Sequence, residues 1–410
     1  MLRTEPQPLE TAPDGFFSET QLSWLQKARQ FADKIPIEDV IRSDRENTFR
    51  RDLFEAACRE GFGGLPFSKE YGGTGGDYVS FALINEEFAR RCVPIMSSLG
   101  VHILCQEPIY RYGSAEQKEK YLRPSATGEY LAAFGLTEPG AGSDTAALAT
   151  TARLEGDTYI LNGTKTFITS GGAADYYIVM AKLNDAAGAL NSPAKSDRTI
   201  TAFIVERGFP GFEIGQKFEM LGMRGYATCE LVFSNCKVPA ANLLGAHGEG
   251  RKVALGSLAK GRVTIAAQAT GWAQGALDAG IKYLRERRAG KSGDGNGASA
   301  HGDDDNNKLN AVAAALGELH VMVESARVLM YQAAAAIDRG EGDVTLAAMA
   351  KTQATDAAMR ASTEIMTLLG SDAARPELLL ERIFRDAKAG QIYEGTNQIQ
   401  RMLIARSLMK

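Results

Sequence analysis

The stretch QIYEGTNQIQR, residues 391–401, sets a carboxylate, Glu394, between an aromatic residue and a Gly–Thr pair. Beside Tyr393 and Ile392 a carboxylate risks losing its water, which raises the free energy of its charged form. Gly395 would cost about 1 kcal/mol relative to alanine inside a helix. The segment is therefore either an ordinary helix-entry turn or a place where Glu394 is held for a purpose. Three other stretches carry groups that could serve a ligand. In AAFGLTEPGAGSD, residues 132–144, a Pro–Gly–Ala–Gly run can bring backbone N–H groups close to a ligand, since glycine permits the angles and the approach. Thr137 and Ser143 add hydroxyls. Alone, the run is more simply an interstrand turn, and it is not the GxGxxG of a dinucleotide-binding βαβ unit. KTFITSGG, residues 165–172, offers Phe167 as a wall for a flat ring and Thr169 as a donor, against the plainer reading of a strand with core-facing aromatics. In AKGRVTIAAQ, Arg262 falls within an otherwise apolar helix, where a surface salt bridge is the ordinary explanation.

Composition bounds what positions these groups. The 410 residues allow two or three domains, and 44% hydrophobic with 23% charged residues is the balance of a soluble globular protein. A net charge of −4 gives no broad attraction for nucleic acid or an anionic membrane. No stretch approaches the roughly 20 apolar residues of a membrane span, and MLRTEPQPLETAPDG lacks the apolar centre of a signal peptide. The five cysteines are scattered with no CxxC pair, so neither a disulfide framework nor a zinc site is expected. No metal and a cytoplasmic location are the resulting expectations.

The chain reads as helices, then strands, then helices, which predicts an α+β architecture with segregated layers. SETQLSWLQKARQFADKI offers Ser18 as a helix cap and repeats apolar residues at Leu22, Leu25, Ala28 and Phe31. YVSFALINEEFARR and SAEQKEKYL are similar. From 131, DTYILNGTKTFIT alternates around Asn162–Gly163, a hairpin signal, and ADYYIVMAKL, RTITAFIVERG, FEIGQKF and CELVFSNCKV follow as strands. After 250 helical spacing returns: Val312, Leu316, Leu319, Val323, Met330 and Ile337 mark one face. Residues 289–307, rich in Gly, Ser, Asn and Asp, are expected to be a mobile loop.

In order and spacing, TEPGAGSD, NGTKTFITSGG, LGMRGYATCELVF, GRVTIAAQATG and RDAKAGQIYEGTNQIQR resemble the acyl-CoA dehydrogenase family over nearly the whole chain. The resemblance implies an N-terminal α-helical domain (1–130), a middle β-barrel-like domain (131–243) and a C-terminal four-helix-bundle domain (244–410). It implies FAD as cofactor and a homotetramer. The implied reaction is α,β-dehydrogenation of an acyl-CoA thioester to a trans-2-enoyl-CoA, with electrons passed to an electron-transfer flavoprotein. Glu394 matches the base that removes the α proton, while flavin N5 takes the β hydride. Some family members carry the base just before the arginine of the GR segment; here that residue is Gly261, which leaves Glu394 as the base candidate. Phe134, Thr137, Ser143, Phe167, Thr169, Thr396 and Gln398 match flavin-contacting positions. Ser143, Arg262 and Gly395 match positions near the acyl-CoA. Arg287 and Gly370 match residues that bind the adenine side of FAD in a neighbouring subunit. The match departs from the family there: RRAGKSGDGNG lacks the usual phenylalanine, Asn310 stands in place of a glutamine, and Ser371 follows Gly370 in place of a second glycine. Two alternatives stay open: a flavin-dependent oxidase or monooxygenase on the same fold, and a non-catalytic acyl-CoA-binding homologue.

Overall fold

A computed structural model of the chain describes residues 16–184, 200–293 and 302–409, with the side chains of 287–293 and 302–311 outside the description. Ser18 does cap the first helix, α1 (Glu19–Asp33). Its hydroxyl accepts from the Gln21 N–H, and the Gln21 side chain returns to the Ser18 N–H. Leu25, Ala28 and Phe31 are buried as the spacing predicts, while Leu22 is exposed. α2 (Ile37–Arg45), α3 (Arg51–Arg59), α4 (Tyr78–Arg90), α5 (Met96–Tyr112) and α6 (Ala115–Thr127) complete the first helical layer. α4 is buried from Tyr78 to Ala89, because it lies between α1 and the long α7 (Gly250–Gly293). A helix enclosed on all sides needs apolar residues around its circumference, as YVSFALINEEFA nearly supplies.

The middle region is one sheet built from β1 (Ala132–Gly135), β2 (Thr151–Glu155), β3 (Thr158–Ile168), β4 (Tyr176–Leu183), β5 (Ile200–Glu206), β6 (Phe212–Lys217), β7 (Cys229–Pro239) and β8 (Leu243–Leu244). The strand order is β6-β7-β3-β2-β4-β5-β8, with β1 parallel to β4. Both faces of its centre are covered. Tyr177, Val179 and Ala181 of β4 point into one core and Tyr176, Ile178 and Met180 into another, which is why β4 reads as a continuous apolar run. Asn162–Gly163 is not a hairpin. It lies within β3 at a bulge against β7, where Gly163 (φ 146°) is pressed so close that a β-carbon would lie 2.7 Å from the Thr150 Cα. The turn comes earlier, at Gly156 (φ 62°), between β2 and β3.

The third layer is α7, α8 (Gly302–Asp338), α9 (Val344–Leu369), α10 (Leu380–Gly390) and α11 (Asn397–Leu408), with α7 and α9 packed along each other at its centre. Leu319, Val323 and Met330 are buried on α8, and Val312, Leu316 and Ile337 are half-buried. The expected loop at 289–307 is corrected at both ends. α7 runs on through Gly293 and α8 starts at Gly302, so only 294–301 remains, and it lies outside the described residues. Composition misled because the helices on either side are long enough to carry poor helix formers at their ends.

Candidate active site

Glu394 lies in the turn between α10 and α11, in the left-handed region at φ 51°, followed by Gly395 at φ 93°. Two successive left-handed residues turn the chain sharply, and Gly395 is required. A β-carbon there would fall 2.6 Å from the Gln400 Nε2, which donates to the carbonyl oxygens of Glu394 (3.2 Å) and Gly395 (3.0 Å). The turn points the carboxylate at α7. A β-carbon on Gly261 would lie 2.3 Å from Glu394 Oε2, so the missing side chain at 261 makes the room the carboxylate occupies. Glu394 is half-buried as a residue, but its Oε2 is sealed from water and has no hydrogen-bond partner among the described residues. Burial pushes its pKa up to about 7, against the pull of Arg262 and Lys351.

The surface salt bridge expected of Arg262 is absent. The residue is buried, its Nε lacks a partner, and it makes no ion pair among the described residues. Burial lowers its pKa, with Glu394 opposing. Lys351, on α9, is fully buried and donates to the Gly395 carbonyl (2.9 Å) and Asn397 Oδ1 (2.8 Å). Burial brings its pKa down to about 8, again with Glu394 opposing. Cys105 of α5 lies near enough to Glu394 to feel its charge. Sequence reasoning missed Lys351. The available signal was a lone cation in the alanine-rich stripe Ala347, Lys351, Ala354 and Ala358.

The two motifs of the sheet domain are joined directly. The Thr166 N–H donates to the Thr137 carbonyl (2.9 Å), and Lys165 bonds Glu138 Oε1 (2.6 Å) and the Leu136 carbonyl (3.2 Å) in a buried pair. Phe167 and Ser170 both adopt left-handed backbone, at φ 55° and 62°. The Phe167 ring, far from facing the core, is 56% exposed and stacked on Phe218 at 4.6 Å. The Ser170 N–H bonds the Tyr226 carbonyl, the Met223 N–H bonds Asp386 on α10, and α10 leads into the Glu394 turn. A chain of contacts thus ties the aromatic face to the carboxylate.

Of the other expected ligand residues, Phe134, Thr137 and Thr169 are half-buried, and Ser143 and Gln398 are exposed. Thr396 caps α11, its hydroxyl accepting from the Ile399 N–H. Gly370 ends α9 at φ 60° with open space where a side chain would be; at 1.5 Å per residue it lies about 28 Å along the helix from Lys351. It is therefore not brought to the Glu394 turn. The side chains of Arg287 and Asn310 lie outside the described residues.

An exposed aromatic on strained backbone, with threonine and serine hydroxyls close in the chain, fits a flat cofactor with polar edges. A carboxylate near neutral pKa beside buried cations fits proton abstraction. Comparison with known proteins agrees. The N-terminal, middle and C-terminal domain models of acyl-CoA dehydrogenase match residues 18–129, 133–236, and 248–297 with 298–409. The short-chain specific acyl-CoA dehydrogenase of Clostridium acetobutylicum is 38% identical over 387 residues, covering 94% of this chain and 97% of that one. Butyryl-CoA dehydrogenase from Megasphaera elsdenii superposes with a TM-score of 0.87 at 37% identity, covering 96% and 99% of the two chains. A structure described under the electron transferring flavoprotein of Acidaminococcus fermentans superposes at 0.88 with 39% identity, covering 97% and 100%. This chain belongs to the acyl-CoA dehydrogenase family, whose members depend on FAD.

Proposed function

We propose that this protein dehydrogenates short acyl-CoA thioesters between the α and β carbons, with Glu394 as the base. The observation that carries the reading is the Glu394 carboxylate, aimed at the bare backbone of Gly261 with one oxygen unpartnered. A base with a pKa near 7 is substantially ionised at neutral pH and still holds a proton well enough to take one from a weak carbon acid. Glu394 removes the α proton, the electrons of that C–H bond become the new Cα=Cβ bond, and hydride leaves the β carbon. Bound FAD supplies the acceptor for that hydride. Phe134, Thr137, Ser143, Phe167, Thr169, Thr396 and Gln398 would hold its flavin half, and Arg287 and Gly370 of a neighbouring subunit its adenine half. Arg262, Ser143 and Gly395 would line the acyl-CoA. The protonated Glu394 returns its proton to solvent before the next turnover.

The short chain is inferred from what lies beyond the base. Gln268 is two helical turns, about 10 Å, along α7 from Gly261. Its Nε2 donates to Asn85 Oδ1 (3.1 Å) and its Oε1 accepts from the Tyr393 hydroxyl (3.4 Å). A long alkyl chain running along α7 would have to displace this buried amide network and leave its groups unpaired. The short-chain and butyryl specificities of the relatives are in keeping with this stop.

We further assign electron transfer to an electron-transfer flavoprotein, a cytoplasmic location, domain limits near 130 and 243, and a homotetramer. Val321 and Val328, one face of α8 and 66% and 58% exposed, are apolar surface for such an assembly. No described helix is long and apolar enough to cross a membrane. The test is anaerobic bleaching of the bound flavin by straight, branched and aromatic acyl-CoAs of graded length, for wild type and Glu394→Gln. The reading requires bleaching confined to short chains in the wild type and lost in the variant. Bleaching of Glu394→Gln at the wild-type rate would overturn it.

A further inference from the structure

The base is the end of a small buried construction whose other end is a lysine. Two consecutive left-handed residues, one of them not glycine, store backbone strain and persist only where neighbours over-determine them. Here the neighbours grip the turn from behind, through its carbonyl oxygens. Gln400, one turn into α11, holds both. Lys351, on α9, holds the Gly395 carbonyl and the side-chain oxygen of Asn397, whose amide nitrogen in turn bonds Thr355 Oγ1 (2.9 Å) and Asp356 Oδ1 (2.8 Å). Both bonds go to neutral oxygens, and Lys351 makes no ion pair among the described residues, so its charge is buried without a contacting counter-ion. Glu394 is the carboxylate whose charge acts most strongly on it.

We propose that Lys351 is a positioning residue for the base: it fixes the Glu394–Gly395 turn through the Gly395 carbonyl, and its buried ammonium holds Glu394 in the ionised form that can accept the α proton. The inference rests on Glu394 being the base. The charged and titratable groups acting on Glu394 or Lys351 are Cys105 from α5, Arg262 from α7, Lys351 and Asp356 from α9, Arg401 from α11, and Tyr393 on the turn itself. Arg262 and Lys351 are the cations that oppose the effect of burial on the carboxylate. They do so from different helices. Arg262 also faces the region where the acyl-CoA is placed, whereas Lys351 lies behind the turn. Its effect should therefore be the same with and without substrate.

Removing the charge destabilises the carboxylate, so the pKa of Glu394 rises and the acid limb of kcat/KM moves to higher pH. For Lys351→Met in the FAD-loaded enzyme we expect a move of about one pH unit, equivalent to about tenfold less activity below the limb and near recovery above it. Lys351→Arg, which keeps the charge, should return the limb to its wild-type position even where kcat falls. A second readout is the infrared carbonyl band of the protonated Glu394, identified by its loss in Glu394→Gln and titrated with pH in each variant; it should move with the limb. If Lys351→Met does not fold, Lys351→Gln, which keeps a donor but no charge, carries the comparison. An unmoved limb and band in the neutral variant, with kcat or flavin content reduced at all pH values, would overturn the proposal. Failure of both neutral variants to fold while Lys351→Arg is active would likewise leave Lys351 a purely structural residue. An active Glu394→Gln would instead strike the assignment of the base, so the two failures are distinguishable.

Discussion

Two buried carboxylate–lysine pairs sit in different layers of this molecule and behave oppositely. In the sheet domain, burial works to raise the pKa of Glu138. The Lys165 charge, with hydrogen bonds at Thr150 and Ala149, outweighs it and holds the group below the usual carboxylate range. In the helical layer, Glu394 has Arg262 and Lys351 within electrostatic reach but touches neither through a hydrogen bond, and burial wins. Contact makes the difference. A carboxylate paired at 2.6 Å and satisfied by backbone N–H groups is a fastener, here for the Thr137 loop against β3. A carboxylate with its oxygen left unpaired is a reagent.

The sharpest way to break this comparison is to neutralise each carboxylate. Glu394→Gln should lower kcat by ~10²–10⁴-fold, with flavin content intact and no loss of stability; a stability loss matching that of Glu138→Gln would erase the distinction. Glu138→Gln should do the reverse, costing about 3–5 kcal/mol because the Lys165 ammonium is left buried without a counter-charge. Chemical denaturation should show it, with part of the loss recovered in the Glu138→Gln, Lys165→Met double variant.

Smaller changes sharpen the contrast. Gly261→Ala places a methyl group where the Glu394 carboxylate now lies, so the base must move. A displacement of about 1 Å would reduce kcat by about 10²-fold with little change in melting temperature. A crystal structure showing Glu394 unmoved would remove the argument from the bare backbone at 261. The smallest effect is in the pH dependence of stability. The raised pKa of Glu394 means its contribution is fully present below about pH 4.5 and lost as pH rises through about 7. Glu138, with its pKa depressed, contributes above the ordinary carboxylate range and loses that contribution as pH falls through its folded value. Urea unfolding of Glu394→Gln and wild type should therefore agree at low pH. Above neutrality the variant should be more stable by roughly 3 kcal/mol. Equal stabilities there would mean the carboxylate is better solvated than its sealed oxygen implies.

Much of this was written in the chain itself. Period-2 and period-3.6 patterns, the Ser18 cap and the order of layers are local or semi-local properties, and local sequence encodes them because each depends on neighbours within a turn or a pleat. The isolated carboxylate before Gly395 was visible for the same reason, since a left-handed turn needs its glycine in place. Packing decided the rest. Asn162–Gly163 carries the chemistry of a hairpin turn, yet Thr150 pressed against it makes it a bulge in an unbroken strand. Phe167 has the sequence of a core residue, but the strained backbone of β3's end turns its ring outward. Arg262 looks like a surface cation on its own helix and is buried only because α7 runs through the middle of the third layer. Lys351 is one lysine in an alanine-rich helix, 43 residues before Glu394 in the sequence. Its carbonyl partner arrives from another segment, and a pKa depends on distances through space that spacing along the chain does not contain.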